Sequence, residues 1–406
     1  MKKILVLTPR YPYPVIGGDR LRIHQICQEL SKSYSLTLLS LCDSAIEMHA
    51  PMPEDSIFSR IERIYLPKYR SYINSLLAIP SKVPLQVAYY KSEKFSKKLQ
   101  SLLDEHDCVL AHLIRTGDYI KDSCRKPTIL EMTDSISLNY NRISELSSIR
   151  GMKSRIYSFE SSRLYRYERD MIHKFNACSL VSRVDANYLL HNNPANNVIV
   201  ASNGVDLALL PYIGPGQDNS IVFIGNMFSV QNLDACYFFA EEVLPLLRKR
   251  SNFTFKIVGQ IAPINQKRLE KYPNCIVVGK VNNIPAAVSG SFAAVCPMRI
   301  GAGVQNKVLE YMALGIPTVT SSLGLEGIAA KPGVEILVAD DPSDYCDQLL
   351  ALFSNPSLQS AISKRARLFV EDHHDWGAVL SPLISAVDMV VGHSRHIGSA
   401  SGGAAV

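Results

Sequence analysis

The chain has 406 residues, 47% of them hydrophobic and 20% charged, which suits two folded domains better than a single core. No apolar run nears the roughly 20 residues that cross a bilayer, and the ILVL run after Met1-Lys2-Lys3 stops at Thr8-Pro9, so it reads as a buried strand rather than a signal-peptide core. The net charge of +6 lies in the first half, where residues 1–206 hold 28 basic and 21 acidic side chains against 15 and 16 beyond them.

KKILVLTP is the first predicted strand, short and nearly all apolar as buried parallel strands are. The loop RYPYPVIGGD leads into LRIHQICQELSK, where Leu21, Ile23, Ile26, Cys27 and Leu30 recur at helical spacing. SLTLLSL is the second strand, and this strand–loop–helix–strand unit is the opening of a doubly wound domain. Residues 59–98 carry nine basic and two acidic side chains, among Tyr65, Tyr69, Tyr72, Tyr89, Tyr90 and the run Leu76-Leu77-Ala78-Ile79. That mixture fits an anionic membrane surface, and fits equally a solvated helix face over ordinary core residues. No recognition motif accompanies the charge, so nucleic acid is not an expected partner.

CVLAHL (108–113) and PTILEM (127–132) read as further strands, and 139–175 as a long charged helical region. ACSLVS (177–182) and NNVIVASNGVD (196–206) close the first half, and GPGQDN (214–219) reads as a linker. The strands SIVFIGNM, FTFKIVGQ, CIVVGKV, AAVCPM, IPTVTSS and GVEILVAD then alternate with helices. The expected fold is α/β, with two Rossmann-like doubly wound domains facing a cleft. The expected boundaries are 1–210 and 218–375, then a helix over 376–392 crossing back to the first domain and a disordered tail over 393–406. Nine scattered cysteines, none in a C-x-x-C pair, point to core thiols in a reducing cytosol and away from a zinc site.

The chemistry concentrates in RIGAGVQNKVLEYMALGIPTVTSS, from Arg299 to Ser322. Gly301 and Gly303 let a ligand approach the backbone. The amides of Val304, Gln305, Asn306 and Lys307 would open a helix toward it, where unpaired N–H groups suit a phosphate. Lys307 adds a positive charge in the first turn, and Glu310 shares its helix face. Phosphate beside polyol is the signature of a nucleotide sugar; an exposed Lys307–Glu310 ion pair is the plainer alternative.

This stretch resembles the C-terminal signature of family 4 glycosyltransferases, enzymes of the two-Rossmann-domain GT-B architecture. SNGVD (202–206), FIGNMFSVQNLDA (223–235) and WGAVLSPL (376–383) are similar to three further pieces of that family in the same order. By pattern the subgroup is the one that builds bacterial exopolysaccharide or surface glycans. The resemblance implies that Glu310 holds the donor ribose and that the preceding loop amides hold the diphosphate. It also implies a donor-phosphate contact at Gly17 and Gly18 and a histidine near the sugar at His112. The family's second acid falls at Ala302, and its two phosphate cations fall at Asn226 and at Gln231 or Asn232, so both features depart from the pattern. Arg299 and Lys307 are the local cations that remain for a diphosphate leaving group.

The predicted catalytic residues are His112 and Asp134, at the carboxyl ends of strands where open α/β sheets bind ligands. Asp134 either orients an acceptor hydroxyl or caps the helix that follows. Glu131 is read as a carboxylate buried against an arginine, Asp19 as a helix cap, Arg22 as unclear because exposed arginines are common, and Arg142 and Glu168 as weaker candidates. His373-His374-Asp375 is rejected as a metal cluster for want of a third ligand in sequence. With no acidic D-x-D motif, no cofactor and no metal are expected. The implied reaction is retaining transfer from a nucleoside diphosphate sugar to a lipid-linked glycan hydroxyl, in the cytoplasm or at the inner face of the membrane through residues 59–98. A nucleotide-sugar epimerase and a non-catalytic nucleotide- or glycan-binding protein are the alternatives.

Overall fold

A computed structural model describes every residue except 123, 146–151, 192, 194 and 398–406. The chain separates into two compact units, one of residues 1–201 with 380–406 and one of residues 202–379.

The first unit is built on seven parallel strands: β1 (Lys3–Thr8), β2 (Ser35–Cys42), β3 (Phe58–Tyr65), β4 (Cys108–His112), β5 (Thr128–Thr133), β6 (Ala177–Leu180) and β7 (Val198–Val200). Their order is β3-β2-β1-β4-β5-β6-β7, so the winding reverses between β1 and β4. Ile4 to Leu7, Val109 to Ala111, Ile129 and Leu130 are fully buried, which is why these strands read as continuous apolar runs. β3 was not foreseen. It is an edge strand with Glu62, Arg60 and Arg63 between its apolar positions, and its charge masks the period of the strand.

The second unit holds β8 (Asp218–Ile224), β9 (Thr254–Val258), β10 (Cys275–Gly279), β11 (Ser291–Cys296), β12 (Thr318–Thr320) and β13 (Leu337–Val338), in the order β10-β9-β8-β11-β12-β13. All pairs are again parallel, with the switch between β8 and β11. The long helical region of the first unit is two helices, Ile136–Glu145 and Met152–Ile172.

The chain divides at Ala201/Ser202, ahead of the glycine-rich stretch 214–219. That stretch is packed into the second unit rather than free. The Gly214 N–H donates to Leu314 O at 3.0 Å and the Gly216 N–H to Ser291 O at 2.9 Å. The terminal helix Trp376–Ile397 begins in the second unit, and from Leu380 onward it belongs to the first. There Leu380, Leu383 and Val387 are fully buried, and Tyr34 donates its hydroxyl proton to Asp388. Of the expected tail, 393–397 continue this helix, and 398–406 lie outside the described residues.

A Cβ placed on Gly216 would stand 1.9 Å from the Gly290 backbone. Gly216→Ala should therefore cost at least about 1–3 kcal/mol, the usual penalty of overpacking. A thermal midpoint equal to wild type would mean that this stretch is a loose linker after all.

Candidate active site

In the first unit the chemistry gathers where β1, β4 and β5 end. Glu131, fully buried on β5, is held from three sides. Arg22 Nε donates to Glu131 Oε1 at 2.6 Å, His112 Nδ1 meets Oε2 at 2.6 Å, and the Thr133 N–H donates to Oε1 at 2.9 Å. Arg22 also donates to Ala201 O at 2.9 Å. Burial alone would push the Glu131 carboxyl up, but the Arg22 guanidinium and the His112 ring overrule it and hold it down to about 2. Facing an ionised carboxylate, Nδ1 carries the ring proton, which leaves Nε2 as the atom of His112 able to accept one. The pairing of Glu131 with an arginine matches the sequence reading. The reading of Arg22 as an uncertain surface residue does not, since its side chain is fully buried.

Leu113 and Thr133 both adopt left-handed backbone, with φ of 67° and 64°. They stand at the ends of the adjacent strands β4 and β5, and such strain in a residue other than glycine clusters at functional sites. At Thr133 it accompanies a register shift against β6 between Glu131 and Thr133.

Asp134 follows directly. Burial first, then the nearby Asp185 carboxylate, push it up to about 7. The helix Ile136–Glu145 is capped by other residues. Glu168 accepts from the Ile136 N–H at 2.7 Å and the Ser137 N–H at 3.2 Å, while Asp185 accepts from the Ser135 N–H at 2.9 Å. Asp134 takes no hydrogen bond from another residue among those described. Glu168 is fully buried, and burial pushes it up to about 7 against those same hydrogen bonds.

Gly17 and Gly18 open the helix Gly18–Ser31, with Gly17 at the cap and φ of 98°. Asp19 does not cap: no side chain does so here, and its carboxylate stands 3.7 Å from Arg10 Nη1.

In the second unit the loop after β11 turns through Gly301 and Gly303, with φ of 150° and 71°. The helix Asn306–Leu314 starts later than expected, so Val304 and Gln305 precede it and Gln305 is the cap residue. The Val308 N–H is taken by Gln305 O at 2.9 Å, so Asn306 and Lys307 supply the first-turn amides without an acceptor in the helix. The Asn306 side chain accepts from Asn203 Nδ2 at 2.7 Å, which ties the SNGVD turn to this helix start.

Lys307 and Glu310 remain short of partners. Lys307 Nζ donates to Gln305 Oε1 at 3.0 Å and lies 5.6 Å from the Phe223 ring centre, with no carboxylate at ion-pair distance among the described residues. The half-buried Glu310 meets no hydrogen-bond donor among the described residues. Burial pushes its carboxyl up, opposed by the Lys307 charge. A lysine short of an anion and a carboxylate short of donors, one turn apart, are complementary to phosphate and hydroxyl groups.

Arg299 turns elsewhere. It grips Asp234 with two bonds of 2.7 and 3.0 Å and lies 4.8 Å from the Phe238 ring centre. Asn226, after β8, folds its own turn: its Oδ1 accepts from the Phe228 N–H at 3.1 Å, and its carbonyl accepts from Asn232 Nδ2 at 3.0 Å. His374 Nδ1 meets Asn203 O at 2.8 Å and His373 stacks on Phe369, so these histidines serve the SNGVD turn and the helix before it.

Residues 218–355 match the family model for glycosyl transferases group 1. The second unit carries a group 1 glycosyl transferase domain. The chain is 22% identical over 402 residues to an uncharacterized 44.6 kDa protein in the cps region of Klebsiella pneumoniae, covering 94% of this chain and 99% of that one. Sucrose-phosphate synthase of Thermosynechococcus elongatus superposes with a TM-score of 0.72 at 13% identity, covering 98% of this chain and 100% of that one. Anabaena HepE in complex with UDP gives 0.66 at 12% identity, covering 96% and 100%. These structural likenesses establish the GT-B fold for the two-sheet chain.

Within the transferase domain, Lys307 and Glu310 sit beside the β8/β11 switch point, where doubly wound sheets take ligands. Sequence reasoning missed Asp234 as the partner of Arg299, because nothing in the spacing of two residues 65 apart announces it. It also missed a cavity of about 380 Å³ beyond Arg299, lined by Ser322, Asp340 and Tyr345 among others.

Two measurements test the first unit's network. Arg22→Met leaves Glu131 buried and uncompensated, and should cost about 3–5 kcal/mol in urea denaturation. A loss below about 1 kcal/mol would show that Arg22 is not the counter-ion. Asp134 and Glu168 hold protons in the folded state that the unfolded chain has already released, so their stabilisation is lost as pH rises toward and through 7. Glu131 behaves oppositely, losing its contribution as pH falls toward 2. The thermal midpoint should therefore decline from pH 5 to pH 8, and Asp134→Asn should flatten that decline. An unchanged slope in the variant would place Asp134 at an ordinary carboxylate pKa.

Proposed function

We propose that the protein is a retaining, metal-independent glycosyltransferase. It moves a sugar from a nucleoside diphosphate to a hydroxyl of a lipid-linked glycan in bacterial surface polysaccharide synthesis. The observation that carries the donor half is the pair of under-satisfied charges after Gly301 and Gly303. Lys307 and the first-turn amides of Asn306 and Lys307 receive the diphosphate, and Glu310 receives ribose hydroxyls. The relative from a cps region supports the glycan acceptor, and HepE, solved with UDP, makes UDP the first donor base to try.

In the proposed reaction the bond from the anomeric carbon to the diphosphate oxygen breaks as the acceptor oxygen bonds to the same face of the sugar. The acceptor proton passes to the departing diphosphate oxygen, so no protein base is required. Lys307 and the helix amides stabilise the charge that develops on the diphosphate. His112, its Nδ1 pinned by Glu131, offers Nε2 to a sugar hydroxyl. Asp134, whose proton leaves near pH 7, orients the acceptor. Gly17 and Gly18 admit a phosphate close to the backbone.

Arg299 is occupied by Asp234, and Asn226 and Asn232 fold the turn in which they lie. That arrangement favours a second reading, a nucleotide- or glycan-binding protein without turnover. Thermal shift against UDP, GDP, CDP, TDP and ADP separates these readings from a misassigned site. One nucleoside diphosphate at about 100 times its dissociation constant should add roughly 2.7 kcal/mol of stability. Glu310→Ala should abolish that shift, and donor affinity equal to wild type in this variant would remove Glu310 from the site. Release of nucleoside diphosphate only when acceptor is added identifies the transferase. Release without acceptor points to an epimerase, and binding without release to a binding protein.

A further inference from the structure

The helix Lys68–Ala78 is turned inside out. Its buried positions are Ser71 and Ala78. Its polar side chains are engaged on the protein side, where Asn74 Nδ2 donates to Lys91 O at 2.9 Å and Ser75 Oγ donates to Leu85 O at 3.2 Å. The apolar and aromatic residues Tyr69, Tyr72, Ile73, Leu76 and Leu77 recur at i, i+3, i+4, i+7 and i+8, the spacing of a single helix face. On an ordinary surface helix that stripe meets the core. Here Leu76 is 65% and Leu77 73% exposed, and Tyr69, Tyr72 and Ile73 are exposed with them.

The patch continues onto a second helix. Arg163, on Met152–Ile172, donates to Ala78 O at 2.9 Å and to Ser81 O at 2.6 Å, and lies 5.0 Å from the ring centre of Phe159. Phe159 is itself 52% exposed, and Ile79 extends the stripe from the other side. Scattered exposed apolar residues need no explanation, but a contiguous apolar face on two helices marks an interaction surface.

Charge selects the occupant. Residues 66–92 contain four basic side chains and no acidic one. Arg70 and Lys82 are exposed around the stripe, and Lys68, exposed too, stands 3.3 Å from Asp43. A second copy seated face to face would bring Arg70 and Lys82 up against the same cations, with no acid in the segment to answer them. An anionic lipid surface complements both the cations and the apolar face. Eleven residues of helix measure about 16 Å, too short to cross a bilayer, and no helix among the described residues is long and apolar enough to do so. We propose that this face lies in the plane of an anionic bilayer. Leu76, Leu77 and Ile73 enter the acyl boundary, Tyr69 and Tyr72 sit at headgroup level, and Arg70 and Lys82 meet the lipid phosphates. This inference goes beyond the transferase reading and does not depend on it.

The test is co-sedimentation of the full chain with vesicles of phosphatidylglycerol and phosphatidylcholine, against phosphatidylcholine alone. Wild type should sediment with the anionic vesicles only, and should keep part of its binding at about 0.5 M salt, where exposed charges are screened. Leu76→Glu with Leu77→Glu should lower the apparent affinity at least tenfold. Both side chains are largely in solvent, so the thermal midpoint and any nucleoside diphosphate shift should stay as in wild type. Three results would overturn the proposal: no binding by wild type, equal binding by the double variant, or a concentration-dependent dimer that the double variant abolishes. The last would assign the face to a second copy.

Discussion

The ionised carboxylate of Glu131, buried at the carboxyl end of the first sheet, constrains much of the unit around it. An isolated charge there would be costly, so the fold must bring it a counter-ion and enough donors. Arg22 comes from the first helix, His112 from β4 and the Thr133 amide from the shifted end of β5, while Arg22 reaches on to the carbonyl of Ala201. One carboxylate thus fixes the placement of a helix, two strands and the last residue before the chain changes unit. It also sets the tautomer of His112, with the ring proton on Nδ1.

The second unit works by the opposite device. In the helix after the β11 loop, Lys307 and Glu310 form no ion pair among the described residues. Lys307 finds an amide oxygen and an aromatic face, and Glu310 finds no donor among the described residues. Arg299, which stands in the same signature, is by contrast fully engaged by Asp234. The fold therefore separates an arginine held by a carboxylate from a lysine and a glutamate that form no ion pair among the described residues. Positive-φ glycines at 301 and 303 let the loop turn tightly with no side chain over its backbone.

The surface helix at Lys68–Ala78 follows the same logic on a larger scale. Hydrophobic periodicity alone would seat Leu76 and Leu77 in the core. Hydrogen bonds from Asn74 and Ser75 hold the polar face inward, and the apolar face is left exposed. Local pattern and tertiary contact disagree at this element, and such disagreement concentrates where proteins interact.

Periodicity and punctuation by themselves determined the two α/β halves, most of the strands and the signature helix, since apolar runs bounded by Gly, Pro and Asn are local properties of the chain. The motif around Gly301 and Lys307 was legible for the same reason, as was the expectation that Glu131 would need an arginine. Only the tertiary structure decided which arginine: Arg22, 109 residues away, looked like any surface residue. It also decided that Arg299 belongs to Asp234, that Glu168 and Asp185 do the capping near Asp134, and that the glycine-rich stretch at 214–219 is packed. Those outcomes depend on pairings between distant segments, and burial and charge compensation are properties of the packed chain that no local spacing encodes.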